Sequence, residues 1–125
     1  MNRDGAGSLS LVCALKDEAQ NIPDLFSTMG RHVDEIVALV DASSTDGTEE
    51  VARQHGARVY VAGFPRSFGH WYTLMAALAR TDWALWLDGD ERMLEENARQ
   101  LAAFARDIVH PASAALALRR RRWAD

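Results

Sequence analysis

Apolar runs too short to be helices recur along this chain, and each gives way to a polar or turn-forming stretch and then to residues with helical spacing. Leu9 to Leu15 reads Leu-Ser-Leu-Val-Cys-Ala-Leu, Glu35 to Val40 reads Glu-Ile-Val-Ala-Leu-Val, and Trp83 to Leu87 reads Trp-Ala-Leu-Trp-Leu, with a shorter run at Arg58 to Ala62. Near-continuous apolar runs of this length are what parallel strands buried on both faces require. Between the first two runs, Ile22, Leu25, Phe26 and Met29 fall at i, i+3, i+4 and i+7, which predicts a helix with Asn21 as N-cap, Pro23 in its first turn and Gly30 closing it. Asp46 and Glu49 have capping-box spacing, so a second helix is expected from near Gly47 to His55, stopped by Gly56. Residues 63–69 read as a loop and 70–80 as a third helix. Leu94, Ala98, Leu101, Ala105 and Ile108 mark a fourth helix ended by His110-Pro111, and Ala114 to Leu118 reads as a fifth strand. The alternation predicts an α/β fold, a Rossmann-like three-layer α/β/α arrangement on a mostly parallel sheet with right-handed crossovers.

Length and composition fit one domain over residues 1–125, with 48% hydrophobic residues for a single core. A net charge of −4 and a pI near 5.5 argue against a nucleic-acid binder held by phosphate contacts. The one basic cluster, Arg119 to Arg122, reads as a solvated strand end or tail. Cys13 is the only cysteine and lies inside an apolar run, so it should pack as a small buried residue, as in a reducing compartment. Met1 to Gly7 has no apolar h-region, and no apolar run approaches the ~20 residues of a membrane span, so neither a signal peptide nor a transmembrane helix is expected. The chain ends just after the fifth strand with no helix to cover that edge, which reads as a truncated domain.

In a parallel sheet, the clusters that follow strands one, two and four lie on the same rim, and these are the clusters rich in carboxylates. They are Lys16-Asp17-Glu18, Asp41 through Thr45, and Asp88-Gly89-Asp90-Glu91. Asp88 and Asp90 flank a glycine, so both carboxylates can turn toward one point. Hard oxygen ligands without a Cys or His cluster favour Mg²⁺ or Mn²⁺, with phosphates completing the shell. A carboxylate ending strand two can accept a hydrogen bond from a ribose hydroxyl or a base N–H, which selects for a nucleoside. The first two clusters could thus read a nucleotide whose diphosphate the third holds through a metal. Taken singly, either Asp cluster could equally be a helix-capping turn.

Several rival motifs are absent or malformed. There is no Gly-x-Gly-x-x-Gly, no P-loop and no Gly-x-Ser-x-Gly elbow. The Asp41 to Gly47 stretch has its glycine one position late for an EF-hand. His32, His55, His70 and His110 are scattered without metal-ligand spacing.

The three clusters, in this order, resemble the family 2 glycosyltransferases of the GT-A fold, especially members that build lipopolysaccharide and other bacterial glycans. That family typically shows Asn-Glu after strand one, Asp-Asp-Gly-Ser-Thr-Asp-Gly-Thr after strand two, and Asp-Trp with an apolar strand before Asp-x-Asp-Glu. Here those positions read Asp17-Glu18, then Asp41-Ala42-Ser43-Ser44-Thr45-Asp46-Gly47-Thr48, then Asp82-Trp83 leading to Asp88-Gly89-Asp90-Glu91, within a match over about 9 to 120. The resemblance implies that Asp17, Glu18, Asp41, Ser43 and Asp88 bind the nucleotide. It implies that Asp88 and Asp90 hold Mg²⁺ or Mn²⁺ on a nucleoside diphosphate sugar donor. The reaction would be inverting transfer of the sugar to a glycan or lipid-linked acceptor, in the cytoplasm and at the inner face of the membrane.

The chain departs from the family at Asp17 in place of Asn, at Ala42-Ser43 in place of Asp-Gly, and at Thr73 where relatives often carry Asn. In the family the catalytic base and the acceptor pocket come from a second half, which is absent here, so no base is assigned. Glu91 is expected to support the metal loop or cap the next helix. Two other readings stay open: a nucleotidyltransferase of sugar phosphates, for which Lys16-Asp17-Glu18 is a poor triphosphate loop, and a non-catalytic module whose carboxylates only cap helices.

Overall fold

The computed structural model describes residues 7–64 and 68–107. The elements run β1 (Leu9–Leu15), α1 (Ile22–Gly30), β2 (Glu35–Asp41), α2 (Thr48–Gln54), β3 (Arg58–Ala62), α3 (Phe68–Leu78), β4 (Trp83–Trp86) and α4 (Glu95–Asp107). All strand pairs are parallel, in the order β3-β2-β1-β4. The expected fifth strand, the His110-Pro111 stop and the Arg119 to Arg122 cluster lie outside the described residues. Among the described residues, no helix is long and apolar enough to cross a membrane.

The alternation of side chains along the central strands divides the interior in two, as period-2 geometry demands. Leu11, Cys13 and Leu15 of β1, with Ile36, Ala38 and Val40 of β2, pack against Ile22, Leu25, Phe26 and Met29 of α1 and against Ala98, Leu101 and Ala105 of α4. Val12, Val37 and Leu39 point the other way and meet Met75 of α3. Cys13 is fully buried, and burial pushes its thiol pKa well above the ordinary value, so it is packing material and not a nucleophile.

Helix ends differ from sequence expectation for identifiable reasons. At α1, Asn21 has helical backbone angles and makes no side-chain cap hydrogen bond; its Nδ2 donates instead to Glu18 Oε1 at 2.7 Å. At α2 the expected capping box does not form, because the N-cap is Gly47, at φ +83° and without a side-chain cap hydrogen bond. Asp46 Oδ1 accepts the Thr48 N–H at 3.1 Å, but Glu49 pairs with Arg53 one turn on and leaves the box open. The other end of α2 follows expectation: Gly56, at φ +91°, donates to the Arg53 carbonyl while Ala57 donates to that of Ala52, both at 3.1 Å, a Schellman stop. Helix α3 begins at Phe68, two residues before the expected start, because a glycine early in a helix lowers propensity by about 1 kcal/mol without forbidding it. Strand β4 ends at Trp86, although Leu87 still donates its N–H to Val12 at 3.2 Å.

A polar network ties the opposite end of the sheet to α3. Glu35 accepts hydrogen bonds from Ser10 Oγ at 2.7 Å, from the Arg58 guanidinium at 2.9 Å and from the Arg80 N–H at 2.7 Å. Ser10, fully buried, also meets the Thr81 hydroxyl, and Arg58 donates to the Leu78 carbonyl at 2.7 Å. One carboxylate thereby fixes the turn between α3 and β4 against β1, β2 and β3.

Candidate active site

The strand order decides where a site can form. The chain builds outward from β1 to β2 to β3 and then returns to lay β4 on the other side of β1, so the crevice at the carboxyl ends lies between the β1 and β4 loops. The loop after β1 is therefore the shared neighbour of the other two. Its residues behave accordingly.

Asp17 adopts φ +51°, a left-handed conformation that Asp and Asn tolerate better than other side chains. Its replacement of the family's Asn thus keeps the needed backbone. There its N–H donates to Ser44 Oγ at 3.2 Å and its Oδ1 accepts the Thr45 N–H at 2.7 Å, stitching the β1 loop to the β2 loop. Two further stitches follow: Glu18 N–H to Thr48 Oγ1 at 3.0 Å and Ala19 N–H to Asp46 Oδ2 at 3.1 Å. Hydrogen bonds from the Thr48 hydroxyl, and from the N–H groups of Ala19 and Thr48, hold the Asp46 carboxyl below the usual carboxylate range. Asp41 is 8% exposed and spends Oδ1 on the Ser43 N–H and hydroxyl, both at 3.0 Å, in a local turn. Beside it a cavity of about 190 Å³, lined in part by Asp41, Ser44, Gly47, Thr48 and Val61, opens on the β3 side of the rim.

On the other side of β1, the side chain of Glu18 lies against Gly89. A Cβ at Gly89 would come within 2.6 Å of Glu18 Cδ and 2.8 Å of its Oε2, so in this arrangement the glycine leaves the space that the end of the Glu18 side chain occupies, and any larger residue would displace that side chain. Asp88 and Asp90 are both exposed. Trp86 Nε1 donates to Asp88 Oδ1 at 3.0 Å and orients it. Glu91 Oε1 accepts the Asp88 N–H at 2.8 Å while the Glu91 N–H donates to the Asp88 carbonyl at 2.9 Å, so Glu91 braces the loop, as the sequence suggested. No hydrogen bond or ion pair engages the Asp90 carboxylate among the described residues.

The structure thus brings Asp17 and Glu18 into contact with the loop of Asp41 and Ser43, and Glu18 into contact with the loop of Asp88 and Asp90. It does not bring Asp41 itself to Asp88 or Asp90, because β1 lies between their strands. Among the described residues no three His, Cys, Asp or Glu side chains converge into a closed metal cage. The donor set at Asp88 and Asp90 nevertheless suits a hard divalent cation with open positions: two exposed carboxylates one residue apart, one of them without a partner among the described residues. With Glu18 also at hand, the crevice is strongly acidic, and a bare diphosphate would be repelled from it unless a cation came between.

Two contributors were not singled out from the sequence. Thr48, almost fully buried, receives the Glu18 N–H and contacts Asp46 through its hydroxyl. Thr48→Val keeps the shape but strands the Glu18 N–H, and should cost about 1–3 kcal/mol in urea unfolding. Thr48→Ser, which restores the acceptor, should recover most of it. The second is Arg92, whose guanidinium reaches across to the start of α1; a lone cation directly after the carboxylate cluster was the only signal for it.

A parallel β3-β2-β1-β4 sheet with acidic loops at its switch point defines a doubly wound α/β domain. The chain belongs to glycosyltransferase family 2, whose model, Glycosyl transferase family 2, matches residues 10–122. A TPR repeat-containing protein of Synechococcus elongatus is 32% identical over 88 residues, 70% of this chain and 22% of that protein. An uncharacterized glycosyltransferase of Rickettsia felis is 33% identical over 88 residues, 70% of this chain and 30% of the relative. Among solved structures, glucosyl-3-phosphoglycerate synthase of Mycobacterium tuberculosis, in complex with Mn²⁺, UDP and phosphoglyceric acid, matches with a TM-score of 0.54 and 26% identity. That match covers 67% of this chain and 33% of the synthase, whose α/β architecture of the GT-A type the present fold shares. The chain therefore spans a third or less of the length of these proteins.

Proposed function

We propose that this chain is the donor-binding part of an inverting, metal-dependent glycosyltransferase that moves a sugar from a nucleoside diphosphate to a hydroxyl acceptor. The observation that carries the reading is the packing of Glu18 on Gly89, which joins the loop suited to a nucleoside to the loop suited to a cation. On this reading Asp17, Glu18, Asp41 and Ser43 accept and donate hydrogen bonds to the nucleoside, and Asp88 and Asp90 would hold Mg²⁺ or Mn²⁺, with Asp88 also reaching the ribose. The cation would supply charge neutralisation to the departing diphosphate. Trp86 keeps Asp88 oriented and Glu91 keeps the loop closed, so these carboxylates need little rearrangement when a donor arrives. The acceptor on this reading is a glycan or a lipid-linked hydroxyl, and no residue of this chain is assigned as the base that deprotonates it. The setting we infer is bacterial cell-surface glycan synthesis, cytoplasmic and at the inner membrane face.

Support for a metal and a uridine nucleotide comes from the mycobacterial synthase, whose structure holds Mn²⁺ and UDP. Isothermal titration of the chain with UDP, GDP and dTDP tests the reading. At least one should bind in Mn²⁺ and lose that binding in EDTA; no binding by any of them would overturn it.

A further inference from the structure

We propose that Arg92 is a positioning residue that holds the Asp88–Asp90 loop in its cation-ready form by fastening that loop to the start of α1. The inference rests on the donor-site reading above and adds a residue to it. One guanidinium donates to four acceptors on two separate segments. Nε reaches Asp24 Oδ2 at 2.6 Å, one terminal nitrogen reaches the carbonyls of Gly89 and Glu91, both at 2.8 Å, and the other reaches the Asn21 carbonyl at 3.2 Å. The two loop carbonyls come from the residues on either side of Asp90, so Arg92 fixes the 89–90 and 91–92 peptides that flank it without touching the carboxylate itself.

The fastening closes a circuit. Asn21, whose carbonyl Arg92 takes, donates its side-chain Nδ2 to Glu18 Oε1, and Glu18 packs on Gly89, whose carbonyl Arg92 also takes. Glu18 and the Asp88–Asp90 loop are therefore positioned by the same group. Arg92 is 27% exposed at its side chain, so these bonds are only partly open to competition from water. Lysine cannot replace it, because an ammonium on a flexible stem lacks the planar five-donor fork that spans these acceptors.

Two measurements on the full chain test the proposal, each made where circular dichroism shows the variant folded. In Arg92→Gln the amides of Asp88 and Glu91 should exchange hydrogen faster than in wild type, while those of Val37 to Val40 are unchanged. The factor by which Mn²⁺ improves UDP affinity should fall on the order of ten- to a hundredfold, the usual cost of removing a group that orients metal ligands. Arg92→Lys should stay closer to Arg92→Gln than to wild type. A brace that served stability alone would lower the melting temperature and leave that factor intact. Unchanged exchange in the loop together with an unchanged Mn²⁺ factor overturns the proposal. Should Arg92→Gln fail to fold, Asp24→Asn, at the exposed end of the fastening, carries the same two measurements. If wild type shows no Mn²⁺-dependent nucleotide binding, the donor-site reading fails, and the exchange measurement still decides whether Arg92 orders the loop.

Discussion

Asp90→Ala is expected to erase the Mn²⁺-dependent stabilisation of this protein by a nucleoside diphosphate while leaving the ligand-free chain as stable as before. A ligand that binds only the folded state at a hundred times its Kd adds about 2.7 kcal/mol, which for a domain of this size raises the melting temperature by on the order of 10 °C. The variant should show none of that rise. Its own stability should change by no more than about 0.5 kcal/mol, because Asp90 is exposed and makes no hydrogen bond or ion pair among the described residues. The contrast between full loss of ligand response and no loss of stability separates a ligand from a helix cap. A cap would show the reverse, with a lower melting point and an intact response. Differential scanning fluorimetry of both proteins with UDP, with Mn²⁺ and with the two together makes the comparison, and Asp107→Ala, an exposed carboxylate at the end of α4, serves as the control.

Glu35→Ala should act at the opposite end of the sheet and on stability alone. Removing the carboxylate leaves the Ser10 hydroxyl, the Arg80 N–H and part of the Arg58 guanidinium without their acceptor, at a cost on the order of 3 kcal/mol. That is a large share of the roughly 5–15 kcal/mol that a small domain has in total. Burial raises the Glu35 carboxyl pKa, but hydrogen bonds from Arg80, Ser10 and Arg58 outweigh it and leave the group below the ordinary carboxylate range. A carboxyl lowered on folding contributes stability that is fully present above the unfolded pKa of about 4.3 and is lost as pH falls through the folded value. Wild type should therefore lose stability as pH drops below about 5 more steeply than Glu35→Gln, and the two curves should converge in acid. Urea unfolding at a series of pH values reads this directly, and parallel curves would exclude Glu35 as a source of acid lability.

Much of the architecture could be read from the chain because β1 and β2 are buried on both faces and its helices on one; β3, with no fully buried residue, and β4, with Ala84 exposed, are less covered than their apolar runs suggested. Leu9 to Leu15 and Glu35 to Asp41 have no polar alternation, which marks strands covered on both faces, and the structure places the two beside one another. The 3.6-residue pattern of Ile22, Leu25, Phe26 and Met29 fixed α1 as surely, and all four are buried. The three carboxylate-bearing loops do share one rim, as a parallel sheet requires. Boundaries were less legible where side chains serve another loop, as at Asn21, whose amide orients Glu18 in place of capping its helix. Partnerships across the chain were not legible at all. Asp24 and Arg92 stand 68 positions apart, and nothing in either neighbourhood announces the other. Likewise Gly89 reads as a flexible spacer between two aspartates, whereas its lack of a side chain makes room for Glu18.

The central position of β1 has a consequence for how such a domain can change over time. The loops after β2 and β4 never touch through the contacts described above; each is held by the segment after β1, one through Asp17, Glu18 and Ala19 and the other through Glu18. Substitutions at 42–45 can therefore drift or be selected without disturbing the Asp88–Asp90 turn, and the reverse holds as well. Residues 17–21 have no such freedom, since a change there is felt on both sides at once. A library meant to alter what this rim recognises should diversify the β2 loop and leave that short hub untouched.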